Sequence, residues 1–190
     1  MKKICLVALF LLASCVGTTP PSKFYVLNSI NSTTNTFDSA KLFIGVGEVN
    51  VPMYLDKPQM VMRDKNQVEL NISEFDRWSE PLGDAIQLAL ADDLAIYLPN
   101  ATVKPTSFRE EVFDYVVWVE INRFDGTWRQ NVVLSAWWSI FDKNGKLVLR
   151  EKADLARSLG KTYDDLALQN SELVSELAEQ IASKLAKLKK

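Results

Sequence analysis

Residues 112–156 read VFDYVVWVEINRFDGTWRQNVVLSAWWSIFDKNGKLVLREKADLA, and they decide the fold. Apolar and polar side chains alternate at the period of a strand. From Val112 to Phe124 the residues Tyr115, Val117, Val119 and Ile121 share one face. From Val132 to Phe141 the shared face is Val132, Leu134, Ala136, Trp138 and Ile140. Between the second run and a third, Leu147 to Ala156, lies Asp142-Lys143-Asn144-Gly145-Lys146, a tight hairpin in which Asn-Gly adopts positive φ at little cost. The stretch therefore predicts a three-stranded antiparallel meander.

Upstream, residues 81–98 repeat Leu82, Ile86, Leu90, Leu94 and Tyr97 at steps of four and three, the single apolar stripe of a helix. Ser79 is placed to cap it, Pro81 suits its first turn, and Pro99-Asn100 ends it. Ahead of that helix are Phe24 to Leu27, suited to a first strand, and Lys41 to Val51, a strand with a bulge near Gly45 or Gly47. Met60 to Arg63 and Val68 to Ile72 form a hairpin across Asp64 to Gln67. Ala101 to Pro105 reads as a short strand. Downstream, Asp164 to Leu188 carries Leu173, Leu177, Ile181 and Leu185 on one stripe, with Lys184, Lys187, Lys189 and Lys190 at its dipole-favoured end. The order strands, helix, strands, helix predicts a single α+β domain: a mainly antiparallel sheet with two long helices packed on one face.

The N-terminus carries a different kind of information. Lys2 and Lys3 precede an apolar run from Ile4 to Ala13, which ends in Leu12-Ala13-Ser14-Cys15. A charged start, a short apolar core and small residues at a cut site make a secretory signal. The run is too short to span a bilayer, which takes about 20 apolar residues. A plain signal peptide with an incidental cysteine is the other alternative. The cysteine just after the small residues is what a lipobox requires, so residues 1–14 are expected to be removed and Cys15 lipidated. Residues 15–23, with Pro20-Pro21, form the tether, and 24–190 the domain. One acyl chain holds only marginally, whereas two or more anchor stably.

Composition narrows the function. The 190-residue chain contains no histidine, which removes the commonest neutral-pH base and metal ligand and with them the His-assisted serine, cysteine and zinc chemistries. Its net charge is −2, spread along the chain, which argues against nucleic acid. Only Cys15 would remain after processing, so the mature chain has no internal disulfide. Asn31-Ser32-Thr33 fits a glycosylation pattern that a bacterial lipoprotein would not normally use. The carboxylate pairs Asp92-Asp93, Glu110-Glu111 and Asp164-Asp165 read as solvated surface. No catalytic residue, metal ligand or cofactor is expected.

The segments Val51-Pro52-Met53-Tyr54-Leu55-Asp56-Lys57-Pro58-Gln59 and Glu74-Phe75-Asp76-Arg77-Trp78-Ser79-Glu80-Pro81-Leu82 resemble the ABC-type transport auxiliary lipoprotein family. The lipobox, Tyr25-Val26-Leu27, Leu98-Pro99 and Phe124-Asp125-Gly126 follow in the family's order, and the likeness covers nearly all of the mature chain. The resemblance implies a periplasm-facing lipoprotein that docks a transport machine to a membrane. Its companions would be MCE-domain proteins and, in many systems, an ABC permease and ATPase, moving phospholipids or similar molecules between envelope membranes. It also implies a ring-shaped homo-oligomer, because MCE proteins form rings. No G-x-x-x-x-G-K-[ST] loop is present. Val16 in place of an aspartate favours the periplasmic face of the outer membrane. A factor for lipopolysaccharide or barrel-protein assembly is the alternative; a carboxylate-based cell-wall hydrolase is a third.

Tyr54, Arg77, Trp78 and Trp137 are the candidate interface residues. Arginine and aromatics are enriched where proteins meet. The structural alternative has Trp78 stapling the helix entry while Arg77 pairs with Glu74 or Asp76. For Trp118, Trp128, Trp137 and Trp138, packing competes with interface or lipid contact. Trp137 and Trp138 must point to opposite faces of a strand, so one of them lies outside the core. The terminal lysines offer themselves to anionic headgroups, or simply complement the helix end.

Overall fold

A computed structural model describes residues 19–29, 35–106 and 112–188. Among them are eight strands: β1 (Lys23–Tyr25), β2 (Phe43–Asn50), β3 (Gln59–Arg63), β4 (Leu70–Trp78), β5 (Thr102–Pro105), β6 (Tyr115–Gly126), β7 (Asn131–Asp142) and β8 (Leu147–Ser158). Helix α1 spans Leu82–Tyr97 and helix α2 spans Tyr163–Leu185. The signal segment, Cys15, Asn31-Ser32-Thr33, Glu110-Glu111, Lys189 and Lys190 lie outside the described residues.

The meander forms as its alternation predicts. β6 pairs antiparallel with β7, and β7 with β8. Asp142 ties the last turn: its backbone N–H donates to Lys146 O at 2.9 Å, and its carboxylate accepts from Asn144 and Lys146 N–H. Gly145 takes φ 75°, the left-handed conformation a side chain resists. The bulge expected in β2 falls between Val46 and Val49. The hairpin of β3 and β4 closes through Asp64, whose carboxylate accepts from the N–H groups of Val68 and Glu69.

The sheet is mixed rather than mainly antiparallel. β1 runs parallel to β4, and β2 runs parallel to both β5 and β6. Alternation reports which side chains share a face and says nothing about strand direction. Direction is set by the connections, because α1 carries the chain back along the sheet and delivers β5 beside β2 in the same sense. The α+β class itself stands.

Ile44 and Val46 of β2, Val117, Val119 and Ile121 of β6, and Val132, Leu134, Ala136, Trp138 and Ile140 of β7 bury one face of the sheet beneath α1 and α2. The helices also meet each other, with Tyr97 Oη 3.1 Å from Ser175 Oγ. Two local expectations change. Pro81, not Ser79, occupies the cap of α1 and offers no side-chain bond; Ser79 instead donates its backbone N–H to Tyr25 O at 2.8 Å, because pairing with β1 keeps the chain extended to that point. Asp93 is buried, not solvated, and accepts from Ser29 Oγ at 2.7 Å, since its helical position turns it under the loop before β2. In α2, Thr162 caps the start by accepting from Asp165 N–H, and Lys184 pairs with Glu151 of β8 rather than standing free at the helix end.

The sheet has two distinct ends. At one, β3 turns into β4, β6 into β7, and β8 finishes (Met62 opposite Gly126, Asn131 opposite Ser158). At the other lies the Asp142–Lys146 turn. The first is the near end.

Candidate functional site

Among the described residues no helix covers the second face of the central sheet, and the side chains that alternate away from the core are presented there. Trp118, Ser139 and Arg150 lie in register across β6, β7 and β8, as do Glu120, Trp137 and Lys152 one step along. Trp137 is exposed (38 %), whereas its neighbour Trp138 is buried (1 %), the opposition that strand geometry demands. The Arg150 guanidinium stands 5.2 Å over the Trp137 ring and bonds Glu120 Oε2 at 2.7 Å. Gly47 lets the Trp118 indole lie directly on β2, because a Cβ there would sit 3.1 Å from the ring. Phe141 continues the surface beside Trp118 in two shallow adjoining hollows. On the near-end side of Trp137, Asp154 accepts from Ser135 Oγ at 2.6 Å and pairs with Lys152 at 2.9 Å, contacts that hold its carboxyl below the usual range. The face is a band of aromatic surface crossed by the Glu120–Arg150 pair and flanked by the Lys152–Asp154 pair. Aromatic surface beside fixed charge pairs is the composition found where macromolecules meet.

The two signature segments meet elsewhere. The turn at 52–58 closes through Leu55 and Asp56 N–H bonds to Pro52 O and receives the Trp78 N–H on Pro58 O at 2.7 Å. Trp78 is buried and its ring lies 6.5 Å from that of Phe124, as the packing alternative describes. Arg77 is half-buried and reaches Glu74 through that residue's backbone oxygen at 3.5 Å. With Asp56, Lys57 and Pro58 it borders a hollow that the exposed Phe24 completes.

Tyr54 turns inward. Its hydroxyl donates to Asp125 Oδ2 at 2.7 Å, and the Arg63 guanidinium stacks 5.3 Å from its ring. Burial first, then the bond to Asp125 and that residue's charge, push the phenol up to about 12. Asp125 is wholly buried, with Arg63 Nε at 2.8 Å and Arg123 Nε at 2.8 Å on the same oxygen. Arg123 then donates to Gln67 Oε1, and Gln67 to Thr127 Oγ1. This network pins the near-end turns together. The sequence offered Asp125 as part of a signature, but no spacing pairs it with Arg63, 62 residues away.

The structure thus gathers Arg77 and Trp78 with the 52–58 turn, sets Tyr54 into an internal network, and places Trp137 apart on the uncovered face. Among the described residues no group of three or more acidic or cysteine side chains is arranged to hold a metal ion, and no helix is long and apolar enough to cross a membrane.

This arrangement, two helices on one face of a mixed eight-stranded sheet, defines a class of α+β domain found in solved structures. A protein described only as uncharacterized matches at TM-score 0.73 with 21 % identity over 87 % of this chain and 99 % of that one. A Xanthomonas campestris protein of the DUF330 family matches at TM-score 0.72 with 12 % identity over 87 % and 95 %. A PelC dodecamer from Paraburkholderia phytofirmans is a more distant match, at TM-score 0.49 and 12 % identity over 79 % and 95 %. No curated protein sequence matches significantly. Residues 25–182 match the ABC-type transport auxiliary lipoprotein component, and the chain belongs to that family.

Proposed function

We propose that this chain is the membrane-tethered accessory subunit of an MCE/ABC-type intermembrane lipid transport system, and that it works by docking and not by catalysis. Lipidated Cys15 holds one end in the envelope, on the periplasmic face of the outer membrane by the sorting logic of Val16. The domain grips a transport protein. Family membership over residues 25–182 supports the transport role. The observation that carries the docking role is the face of β6, β7 and β8 that no described helix covers, where Trp137 lies between the Glu120–Arg150 and Lys152–Asp154 pairs and Trp118 and Phe141 continue the surface beyond Arg150. A partner covering that face removes aromatic surface from water while the charged rim fixes orientation. The same face is where copies of this chain would meet if they form a ring.

The test is site-specific photo-crosslinking in intact cells from position 137, with position 168, exposed on α2 over the other face, as control. An MCE-domain protein or a second copy of this chain joined at 137 and not at 168 is the expected product. Recovery of a β-barrel assembly protein, or of peptidoglycan, at 137 would overturn the reading.

A further inference from the structure

The near end of the domain carries a feature that transporter docking does not use. Trp128 is half-buried in the turn between β6 and β7 and packs edge-on against Tyr163, with ring centres 5.0 Å apart. Around it stand Lys65, Arg129 and Lys161, all exposed; with Trp128 and Gln130 they line an open hollow that no carboxylate lines. None of the three cations forms an ion pair with a described residue. The turn is held firmly, since Arg129 N–H donates to Gly160 O at 3.0 Å and Leu159 N–H to Gln130 O at 2.9 Å. Arg129 itself adopts φ 59°, a strained conformation for a side-chain-bearing residue that these bonds maintain. A chain of net charge −2 has here concentrated unpaired positive charge around an indole, the side chain that favours the membrane–water boundary.

Chain direction says where this end lies. β1 pairs parallel with β4 (Lys23 with Asp76, Tyr25 with Trp78), and β4 starts at the near end, opposite Arg63. The chain therefore enters the domain from the near end. From Cys15 to Lys23 the tether spans eight residues, at most about 29 Å when fully extended and roughly 16 Å as a flexible coil. β6, β7 and β8 have 12 residues each, about 40 Å of strand. A tether that short cannot run back along the sheet to seat the opposite end on the bilayer.

We propose that the near end faces the membrane and that Lys65, Arg129 and Lys161 around Trp128 receive the phosphates of anionic phospholipid headgroups, orienting the domain on the surface to which Cys15 ties it. The orientation rests on the lipid anchor proposed above; the headgroup contact is a property of the folded domain. Each cation near an anionic surface strengthens binding about fivefold, so the three together contribute on the order of a hundredfold.

The experiment uses the mature chain, residues 15–190 with Cys15→Ser, so that neither the apolar signal run nor an attached lipid contributes, and measures co-sedimentation with vesicles. Equal parts phosphatidylglycerol and phosphatidylcholine are compared with phosphatidylcholine alone. Binding only to the anionic vesicles is expected, weakened by salt. It should fall roughly a hundredfold in Lys65→Ala/Arg129→Asn/Lys161→Ala, asparagine being chosen because it tolerates positive φ. Lys143→Ala/Lys146→Ala at the opposite end should leave it unchanged. Circular dichroism of each variant establishes that the fold is intact. Equal binding to both vesicle types, persistence in the triple variant, or an equal loss in the opposite-end pair would overturn the proposal, as would capture of inorganic phosphate without vesicle binding. The anchor is judged separately, by the mass of the N-terminal peptide of wild-type protein extracted from membranes. An acylated chain whose domain ignores anionic vesicles defeats this inference alone, and an unacylated chain whose domain binds them defeats the anchor alone.

Discussion

Asp125→Asn separates a buried charge from a surface one with minimal change of shape. The carboxylate is wholly buried and accepts from Tyr54 Oη at 2.7 Å, Arg63 Nε at 2.8 and 3.0 Å, and Arg123 Nε at 2.8 Å. The amide keeps the volume and loses the negative centre, leaving two guanidiniums facing one another. Breaking a buried ion pair by removing one partner costs about 3–5 kcal/mol. Arg63 and Arg123 keep 20 % and 27 % exposure, so water recovers part of that loss and the low end applies, about 3 kcal/mol. For a domain of this size that is a fall in Tm of roughly 6–12 °C. Asp154→Asn is the internal control, because Lys152 and Asp154 are 44 % and 60 % exposed and water screens their pair. Urea and thermal unfolding of both variants give the comparison. A second step adds Arg123→Gln to Asp125→Asn, which should cost less than the sum of the single changes by at least about 1 kcal/mol, since it relieves the like-charge contact. A loss below about 1 kcal/mol for Asp125→Asn, or one equal to that of Asp154→Asn, refutes the account of this network.

Tyr54→Phe should flatten the alkaline limb of stability. A phenol raised from 10.0 to about 12 stabilises the fold fully below pH 10 and loses that contribution as pH climbs through about 12. For this half-buried group the amount is about 1–2 kcal/mol after screening, and wild type and variant losing stability in parallel over that window would count against it. Gly47→Val must displace the Trp118 indole, costing about 1–3 kcal/mol and shifting tryptophan emission; unchanged emission and stability would show that the ring does not lie on β2 as described. Trp137→Ala should alter unfolding by no more than about 1 kcal/mol while sharply reducing recovery of the transport partner from solubilised membranes, and undiminished recovery would argue against the uncovered face. With residues 1–14 exchanged for a plain cleavable secretory signal, Cys15→Ser should appear in the soluble fraction; retention at wild-type level would show that no acyl anchor is needed.

Much of this was legible from residue pattern. The meander, both helices, the bulge in β2 and the Asn-Gly turn follow from alternation, helical stripes and turn chemistry, each a local property. The opposite orientations of Trp137 and Trp138 also follow from geometry alone. Parallel pairing was not legible, because an alternating strand reads the same in either direction. Nor was the burial of Asp93, one turn from exposed residues on a helix whose loop partner, Ser29, lies 64 residues earlier. The cap of α1 was misplaced because Ser79 is engaged by β1, a contact between segments more than 50 residues apart.

The sequence by itself determined the elements, their order, the side chains that would share a core, and the family to which the chain belongs. Only the tertiary structure decided which strands run together, that Arg63 and Arg123 converge on Asp125, and that three separated cations surround one indole at the end from which the tether enters. The division has a physical cause. Periodicity and turn preference are encoded within a few neighbouring residues, whereas charge pairing and strand direction depend on segments brought together by the whole packed chain.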